Sequence, residues 1–263
     1  RARGTELAGE SPPRFLVIAG CSERAFDLIG HPVLEGAGQL LASDDVLGAG
    51  VDAAVIATPT PTHAELLVAL ARAGLPVFCE KPVDLSSARI RTCLDVVRAS
   101  GQPLMIGFNR RFDANFAALH RRLQAGEIGA VEIVTILSRD PGPPPIDYVK
   151  RSGGLYRDMM IHDLDMARFL LGEEPVEVHA VGSSLVDPAI GKAGDIDTAV
   201  VVLETESGSL CQITNSRRCT YGYYQRIEVF GSAGMVRAGN HTATSVQTAD
   251  ATGFGTEPAL PFF

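Results

Sequence analysis

The side chains best suited to chemistry lie in the segment 153–169, GGLYRDMMIHDLDMARF. Its apolar residues predict a helix over 156–171, on which Asp158 and His162, four positions apart, share one face. Asp165 follows three positions later on the same side. Titratable groups on an otherwise apolar helix are costly to bury unless they meet partners or a ligand. An imidazole that titrates near neutrality can act as a general base, so this segment is a candidate catalytic site.

Two other interpretations of this segment remain open. A histidine that faces the core and is held by Asp158 would be a satisfied polar pair with no catalytic role. The pair His162-Asp163 is also typical of metal sites, but the other ligands have no obvious source in the sequence, and we expect no metal. The spacing therefore identifies a candidate site without choosing its chemistry.

Basic side chains follow two of the predicted strands. Lys81 lies in the Glu80-Lys81-Pro82 segment that follows the buried run 76–79, where its ammonium could stabilise a developing alkoxide. The alternative for Lys81 is a surface lysine in a turn. Arg110 and Arg111 follow Asn109 at the end of the next predicted strand. These arginines are either contacts for a polyol or phosphate, or a solvated charge pair.

Apolar runs alternate with helical patterns over the first part of the chain. Because the runs are continuous, they predict buried strands of a parallel sheet with helices on both faces. A capping box of Thr62 and Glu65 predicts the start of one helix, and Ser86 or Ser87 with Gly101 delimits another. Ligands bind such sheets at the carboxyl ends of the strands. The predicted strands are 15–19, 53–57, 76–79 and 104–107, a short helix is predicted over 22–29, and the loops at the ligand edge are 58–62, 80–82 and 108–111.

The second half predicts a different architecture. A helix over 113–125 and a strand over 131–137 precede a proline-rich loop and the helix 156–171. Four further strand-like runs follow with few helices between them, which favours an open, largely antiparallel sheet. We therefore predict an α/β chain with a Rossmann-like parallel domain over 1–112 and an α+β domain over 113–263. The four runs are 176–181, 198–204, 209–214 and 225–230.

Composition narrows the function classes. The formal net charge is −8, and an acidic surface argues against nucleic acid or an anionic membrane as the main partner. The five cysteines have irregular spacing and no CxxC pair, so we expect reduced thiols in a cytoplasmic protein rather than disulfides or structural zinc. No apolar run approaches the ~18 residues of a membrane span, and residues 1–13 contain no signal-peptide core.

Seven motifs in register resemble one family. They are VIATPTPTHAELL, CEKP, GFNRRFD, SRDP, GGLYRDMMIHDLDMARFLLG, GDIDTA, and NSRR with YGY and EVFGSAGM. In order and spacing they are similar to inositol 2-dehydrogenases of the Gfo/Idh/MocA oxidoreductases. The resemblance implies a Rossmann domain and an α/β domain whose open sheet mediates oligomerisation, commonly to a homotetramer. It also implies oxidation of myo-inositol to its 2-ketone, a step of inositol catabolism, with hydride transfer to NAD+.

Roles for individual residues follow from the matching motifs. The resemblance implies that His162 is the general base, that Asp158 orients the hydroxyl or the imidazole, and that Lys81 stabilises the alkoxide. It implies polyol contacts at Asn109, Arg110, Asp165, Tyr221 and Tyr223. It implies contacts to NAD at Ala57, Thr58, Pro59, His63, Glu80, Lys81 and Pro82.

The N-terminal segment departs from the family pattern. The family opens with a strand and a G-x-G-x-x-G loop whose backbone amides hold the pyrophosphate, whereas the Gly-Ala-Gly at 36–38 lacks the third glycine. The run 15–19 fits the family's second strand, and Gly20 stands near the position of the ribose-binding acidic residue, with Glu23 the next carboxylate. The family's C-terminal helical tail is also not found. We therefore expect a shortened chain with reduced NAD affinity; the alternatives are a non-catalytic cyclitol- or sugar-binding protein and a subunit that pairs with an intact homologue.

Overall fold

The structure of this chain is a computed structural model. It describes residues 51–240 and four strands outside that range, at Phe15–Ala19, Val33–Glu35, Gln247–Asp250 and Gly253–Thr256. The predicted helix over 22–29 and positions 20, 23 and 36–38 lie outside the described residues. Contacts divide the chain into two units, Arg1–Gly107 and Phe108–Phe263.

The division falls a few residues before the boundary that the sequence predicted. The 3-10 turn Asn109–Phe112 belongs to the second unit because its two arginines form ion pairs there. Arg110 pairs with Asp163, and Arg111 pairs with Asp165. The end of a strand-like run marks the edge of the parallel sheet, but it carries no sign of these ion pairs.

The first unit contains a sheet of five parallel strands. They are β1 (Phe15–Ala19), β2 (Val33–Glu35), β3 (Ala53–Ala57), β4 (Val77–Cys79) and β5 (Leu104–Ile106). Their order is β2-β1-β3-β4-β5, with every neighbouring pair parallel, which confirms the predicted Rossmann-like class. Because the strand order reverses at β1, a crevice is expected outside the carboxyl ends of β1 and β3, where open α/β sheets bind ligands.

Two long helices accompany the described part of this sheet. They are α1 (His63–Arg72) and α2 (Ser87–Ser100). Leu66 and Leu67 of α1 and Ile56 of β3 belong to one buried apolar cluster. Burial of each such side chain contributes roughly 1.5–3 kcal/mol relative to exposure, so this cluster fixes α1 against the sheet and sets where the loops around it begin.

The predicted ends of α2 are right, and α1 begins after Thr62 and ends before Gly74 as predicted, but the predicted capping bond of Thr62 is wrong. Ser86 caps α2 with its side chain, and α2 ends at Gly101, whose φ of 68° is left-handed. Thr62 makes no capping bond because it closes the 3-10 turn Thr60–Thr62 with helical backbone angles rather than extended ones. Its hydroxyl instead donates to the Pro59 carbonyl at 2.9 Å.

The second unit contains a mixed sheet of six strands. They are β6 (Val131–Arg139), β7 (Pro175–Ser183), β8 (Thr198–Thr205), β9 (Leu210–Ser216), β10 (Tyr224–Gly231) and β11 (Gly234–Ala238). The order is β11-β10-β6-β9-β8-β7, and only the β6–β9 pair is parallel. This confirms the predicted, largely antiparallel sheet and adds β11. The strands Gln247–Asp250 (β12) and Gly253–Thr256 (β13) form a separate antiparallel pair.

One face of the six-stranded sheet is buried within the second unit and the other is open. On β8, Ala199, Val201 and Leu203 are buried, whereas Val200 and Val202 point to the opposite face and are exposed. Successive side chains of a strand point to opposite faces. The open face therefore presents a row of apolar side chains, which also includes Ile133, Val181, Leu210 and Phe230.

Five helices belong to the described part of the second unit. They are α3 (Ala114–Gln124), α4 (Ile146–Ser152), α5 (Gly154–Asp158), α6 (Ile161–Leu171) and α7 (Pro188–Lys192). Asp113 caps α3 by accepting two backbone N–H bonds, and the sequence did not predict the short helices α4 and α7. Among the described residues, no helix is long and apolar enough to cross a membrane.

The single helix predicted over 156–171 is wrong, because the chain forms α5 and α6 with a break between them. Met159 and Met160 form the turn at the break, and the Met160 N–H bonds the Leu155 carbonyl, five residues back, at 2.9 Å. Both methionines are buried. Since their side chains would be buried in a continuous helix as well, the apolar pattern gives no sign of the break.

Candidate functional site

The carboxyl ends of β3, β4 and β5 are tied together by backbone hydrogen bonds. The Glu80 N–H donates to the Ile56 carbonyl at 2.9 Å, and the Gly107 N–H donates to the Cys79 carbonyl at 2.8 Å. The loops after these strands therefore start at one edge of the sheet. The predicted cofactor contacts that lie at this edge are Ala57, Thr58, Pro59, Glu80, Lys81 and Pro82.

These edge residues differ in how accessible they are. Pro59 is exposed and Lys81 is half-buried, whereas Thr58 is buried. The Glu80 carboxylate packs on Gly107, since a Cβ added there would lie 2.9 Å from its Oε2. Pro59 and Lys81 therefore supply accessible surface beside the crevice, which fits the end of a dinucleotide laid across strand ends.

The structure corrects the predicted cofactor contact at His63. The ring is 1% exposed, and its Nδ1 and Nε2 lie 2.8 Å from the Pro82 carbonyl oxygen and 2.6 Å from the Thr58 carbonyl oxygen. Both ring nitrogens are occupied by backbone, so the side chain joins two loops and does not face a cofactor. A motif places His63 near the ligand edge but does not show the direction of its ring.

Asp158, at the end of α5, is held by two side chains that the sequence analysis did not select. Its Oδ1 accepts a hydrogen bond from the Tyr148 hydroxyl at 2.8 Å, and its Oδ2 accepts one from Arg217 Nη2 at 3.3 Å. The Arg217 side chain is only 2% exposed. Burial and the Asp158 carboxylate raise the pKa of Tyr148 to about 12. Tyr148 therefore stays protonated at neutral pH and acts as a fixed donor to Asp158.

His162 lies in the first turn of α6 and is half-buried. Its backbone N–H bonds the Met159 carbonyl at 3.3 Å, so the turn between the helices sets the position of the side chain. Asp158 and His162 thus lie on two consecutive short helices of the second unit. A change in the turn would alter their relative placement, which a continuous helix would have fixed.

Arg110, a predicted polyol contact, is part of a buried charge network. Its guanidinium Nη1 donates to Asp163 Oδ1, and it lies 3.3 Å from the Ser138 hydroxyl. The other Asp163 oxygen accepts a hydrogen bond from Asn215 at 2.8 Å. The Asp163 side chain is fully buried and that of Arg110 is 4% exposed. The structure therefore gives Arg110 an interior partner rather than an open face.

Asp165, another predicted polyol contact, is likewise engaged. Arg111 Nε and Nη2 donate to its two oxygens at 2.7 and 2.6 Å. The Arg111 guanidinium also lies 4.9 Å from the centre of the Phe169 ring. This two-point geometry is the strong form of an arginine–carboxylate pair. Asp165 therefore anchors the turn Asn109–Phe112 to α6, and both of its oxygens already accept a hydrogen bond from Arg111.

The three remaining predicted polyol contacts keep more accessible surface. Asn109 and Tyr221 are exposed, and Tyr221 makes an edge contact with the Tyr224 ring. Tyr223 is half-buried, and its hydroxyl accepts a hydrogen bond from the Gln225 amide at 3.0 Å. Burial raises the pKa of Tyr223, so its hydroxyl keeps its proton at neutral pH.

Asp140 is a titratable group of this site that the sequence analysis missed. It follows β6 in the SRDP motif, whose resemblance to the family implied no role for the aspartate. Burial raises the pKa of Asp140 to about 6; the guanidinium groups of Arg217 and Arg110 oppose the rise, and the carboxylates of Asp158 and Asp163 add to it. Asp140 therefore changes charge just below neutral pH.

We expect Asp140→Asn to stabilise the chain at about pH 8 and to lose that effect near pH 4. The ordinary pKa of Asp140 is 3.8, so the folded state holds its proton more tightly than the unfolded state. Ionisation therefore costs stability as the pH rises from about 4 to 6, and the cost persists above that range. The gain at pH 8 should be on the order of 2 kcal/mol, measured by urea unfolding at both pH values.

The control for this measurement is Asp147→Asn, since the Asp147 side chain is 91% exposed. It should change the free energy of unfolding by less than about 0.5 kcal/mol at either pH. A gain for Asp140→Asn that is the same at both pH values would show that Asp140 does not titrate as a buried acid.

The described residues contain no group of three or more His, Cys, Asp and Glu side chains that could hold a metal. Cys79, Cys93, Cys211 and Cys219 are buried free thiols. Burial raises the pKa of Cys79 and of Cys211 to about 12. Since the thiolate is the reactive form, these two cysteines are unreactive at neutral pH.

Comparison with known proteins relates the whole chain to cyclitol dehydrogenases. It is 49% identical over 259 residues to the inositol 2-dehydrogenase of Rhizobium meliloti (strain 1021), covering 98% of this chain and 77% of that protein. It is 51% identical over 213 residues to the myo-inositol 2-dehydrogenase of Thermotoga maritima, covering 81% of this chain and 64% of that protein. A solved structure of a putative myo-inositol dehydrogenase from Sinorhizobium meliloti 1021 superposes with a TM-score of 0.85 at 49% identity, covering 97% and 77% of the two chains.

Each half of the chain also matches a family description. Residues 21–108 match the oxidoreductase family with the NAD-binding Rossmann fold, and residues 116–237 match the GFO/IDH/MocA C-terminal domain. These matches agree with the parallel sheet of the first unit and the mixed sheet of the second. The chain therefore belongs to the Gfo/Idh/MocA family of oxidoreductases.

Proposed function

We propose that this chain oxidises a ring secondary alcohol of a cyclitol with NAD+, converting myo-inositol to 2-keto-myo-inositol. The observation that carries the proposal is Asp158, which a buried arginine and a tyrosine hydroxyl hold in place one helix before His162. Relatives at 49% and 51% identity are named inositol 2-dehydrogenases. A fixed carboxylate and an imidazole are the groups that removal of a proton from a hydroxyl requires.

The cofactor belongs at the carboxyl edge of the parallel sheet. Ala57, Thr58, Pro59 and the segment 80–82 would hold it there, with Pro59 and Lys81 accessible. When bound, NAD+ supplies the hydride acceptor. The choice of NAD+ over NADP+ is supported by the NAD-binding family that residues 21–108 match.

Different side chains of this protein have different roles in removing the proton from the reacting hydroxyl. His162 accepts the proton of the reacting hydroxyl, and the Asp158 carboxylate orients that hydroxyl or the imidazole. Arg217 and Tyr148 hold Asp158 in one orientation, so little reorganisation is needed during the reaction. Lys81 donates a hydrogen bond to the developing alkoxide and lowers its energy.

The polyol contacts are assigned to side chains that retain accessible surface. Asn109, Tyr221 and Tyr223 serve this role, and Asp140 adds a carboxylate that accepts from hydroxyl groups when it is ionised. A site that recognises a polyol through many directed hydrogen bonds rejects analogues that lack them. Arg110 and Asp165 do not contact the polyol themselves; they hold the turn Asn109–Phe112 and α6 in place.

A homo-oligomer, a tetramer in our proposal, forms through the open face of the second unit's sheet. Val181, Val200 and Val202 are between 39% and 60% exposed there, and contiguous apolar patches of this kind mark protein contacts. The chain acts in the cytoplasm, which its free buried thiols support. The partner molecules are the polyol and further copies of this chain.

Calorimetry of NAD+ binding, with and without myo-inositol, followed by a turnover assay tests the function. We expect NAD+ to bind with reduced affinity, at a Kd below about 1 mM (about −4 kcal/mol or tighter), and NADH to form when myo-inositol is added. NADP+ should bind more weakly, and it serves as the matched control. Inositol binding without turnover would favour a non-catalytic binding protein, and no binding at millimolar NAD+ would contradict the proposal.

A further inference from the structure

The His63 ring is held between two acceptors. It is the first side chain of α1, is 1% exposed, and places Nδ1 at 2.8 Å from the Pro82 carbonyl oxygen. Its Nε2 lies 2.6 Å from the Thr58 carbonyl oxygen. A peptide carbonyl accepts hydrogen bonds and cannot donate them. Both ring nitrogens therefore need to be donors.

A neutral imidazole cannot satisfy this arrangement. It carries one N–H and one lone pair, so one nitrogen would turn its lone pair toward a carbonyl oxygen within 2.8 Å. That contact is repulsive, and it would leave a buried polar group without a donor. An imidazolium has two N–H groups and satisfies both carbonyls. Hydrogen bonds to an ionised donor are also shorter than neutral ones, in keeping with both distances.

The two carbonyls belong to the loops that carry the edge residues. Thr58 directly follows β3, and Pro82 directly follows Lys81. On the other side of Lys81, the Glu80 N–H bonds the Ile56 carbonyl. The backbone around Lys81 is thus held on both sides, and on the Pro82 side the His63 ring supplies the bond.

We propose that His63 is a positioning residue for Lys81, acting as a doubly protonated imidazole that clamps the loop after β4 to the loop after β3. The positioning part rests on the proposed role of Lys81 in cyclitol oxidation, and the protonation state rests on geometry alone. The buried ring also places a positive charge under this edge of the sheet. His63 is not a catalytic residue, because it touches only backbone.

Ring-nitrogen NMR of the 15N-labelled full chain at about pH 7 tests the clamp without any assay of activity. The sequence has six histidines, and the His63 signals are those that disappear in His63→Gln. We expect both His63 nitrogens to resonate as protonated nitrogens coupled to a hydrogen. One protonated and one unprotonated nitrogen would overturn the charged clamp. The Lys81 backbone amide should shift in His63→Gln and stay in place in His179→Gln, a change on the exposed strand β7.

A double-mutant cycle with Lys81 tests the positioning role. Glutamine keeps one donor group, so His63→Gln should lower kcat roughly 10-fold to 100-fold through misplacement of Lys81, with little change in the KM for myo-inositol. In the Lys81→Met background the same change should cost less than about twofold, because residues that act as a unit are not additive. Equal losses in both backgrounds would overturn the positioning role, since a general effect on the fold is additive.

The proposal can also be tested if His63→Gln does not fold or if the unaltered chain shows no turnover. His63→Asn, which keeps a shorter amide donor, replaces His63→Gln if the latter does not fold, and the same cycle applies. If the unaltered chain shows no turnover, the proposed function fails. In that case the ring-nitrogen signals and the Lys81 amide shift still decide whether a charged clamp holds this loop.

Discussion

Lys81→Met should lower kcat/KM for myo-inositol by about 10³-fold. Methionine keeps most of the length of the stem but removes the ammonium, so the developing alkoxide loses its charged hydrogen-bond donor. The loss should appear mainly in kcat, because the interaction strengthens as negative charge develops on the oxygen. Steady-state kinetics with saturating NAD+ measures the effect, and calorimetry of NAD+ binding measures separately the loss of the cofactor contact that Lys81 also makes.

The matched control for this change is Lys192→Met at the exposed end of α7. It removes the same charge from the chain and should leave kcat/KM within about twofold of the unaltered protein. A loss of less than about tenfold for Lys81→Met would remove Lys81 from the chemistry. Lys81 would then be the surface lysine of a turn that the sequence also allowed.

Arg110→Met should destabilise the second unit by about 3–5 kcal/mol. The Asp163 carboxylate is fully buried and pairs with Arg110, and removal of the arginine leaves an interior charge without its cation. Ser138 and Asn215 still contact the carboxylate, but neither carries a positive charge. Unfolding in urea, followed by circular dichroism, measures the free energy.

An exposed ion pair provides the control for Arg110. Arg168 and Glu174 pair on the surface with side chains 51% and 69% exposed, and Arg168→Met should cost less than about 1 kcal/mol. Adding Asp163→Asn to Arg110→Met should recover part of the stability, because the unpaired charge is then gone. Equal losses for the two arginine variants would mean that burial does not set the strength of the Arg110–Asp163 pair.

Much of the fold could be predicted from the apolar runs and from the residues at which strands and helices end. Continuous apolar runs predicted β3, β4 and β5, and glycine at 101 predicted the end of α2, because the interior of a sheet and a left-handed backbone each restrict the residue types. The prediction that β5 is buried is wrong, since Met105 at its centre is 45% exposed. The break between α5 and α6, the short helices and β11 were not predicted. Their residues are compatible with more than one local structure, and contacts distant in sequence decide between them.

The sequence predicted several charged residues of the site, but it did not predict which of them form ion pairs. Arg110 and Asp163 are 53 positions apart, and Arg217 and Asp158 are 59 apart. Spacing along a helix relates only near neighbours, so it grouped Asp165 with Asp158 and His162 and missed its bond to Arg111. The roles of Tyr148 and Arg217 became visible only through the strands and helices that bring them to Asp158.

The place of β6 in its sheet has a consequence during synthesis of the protein. Both of its neighbours, β9 and β10, are made much later; Ile133, for example, pairs with Leu210 on one side and Phe230 on the other. The strand therefore leaves the ribosome with the backbone N–H and C=O groups of both edges unpaired, before most of the second unit is made. Pairing across such separations is slow and exposes strand edges to other chains. Nascent chains released before β10 should be the species that molecular chaperones hold.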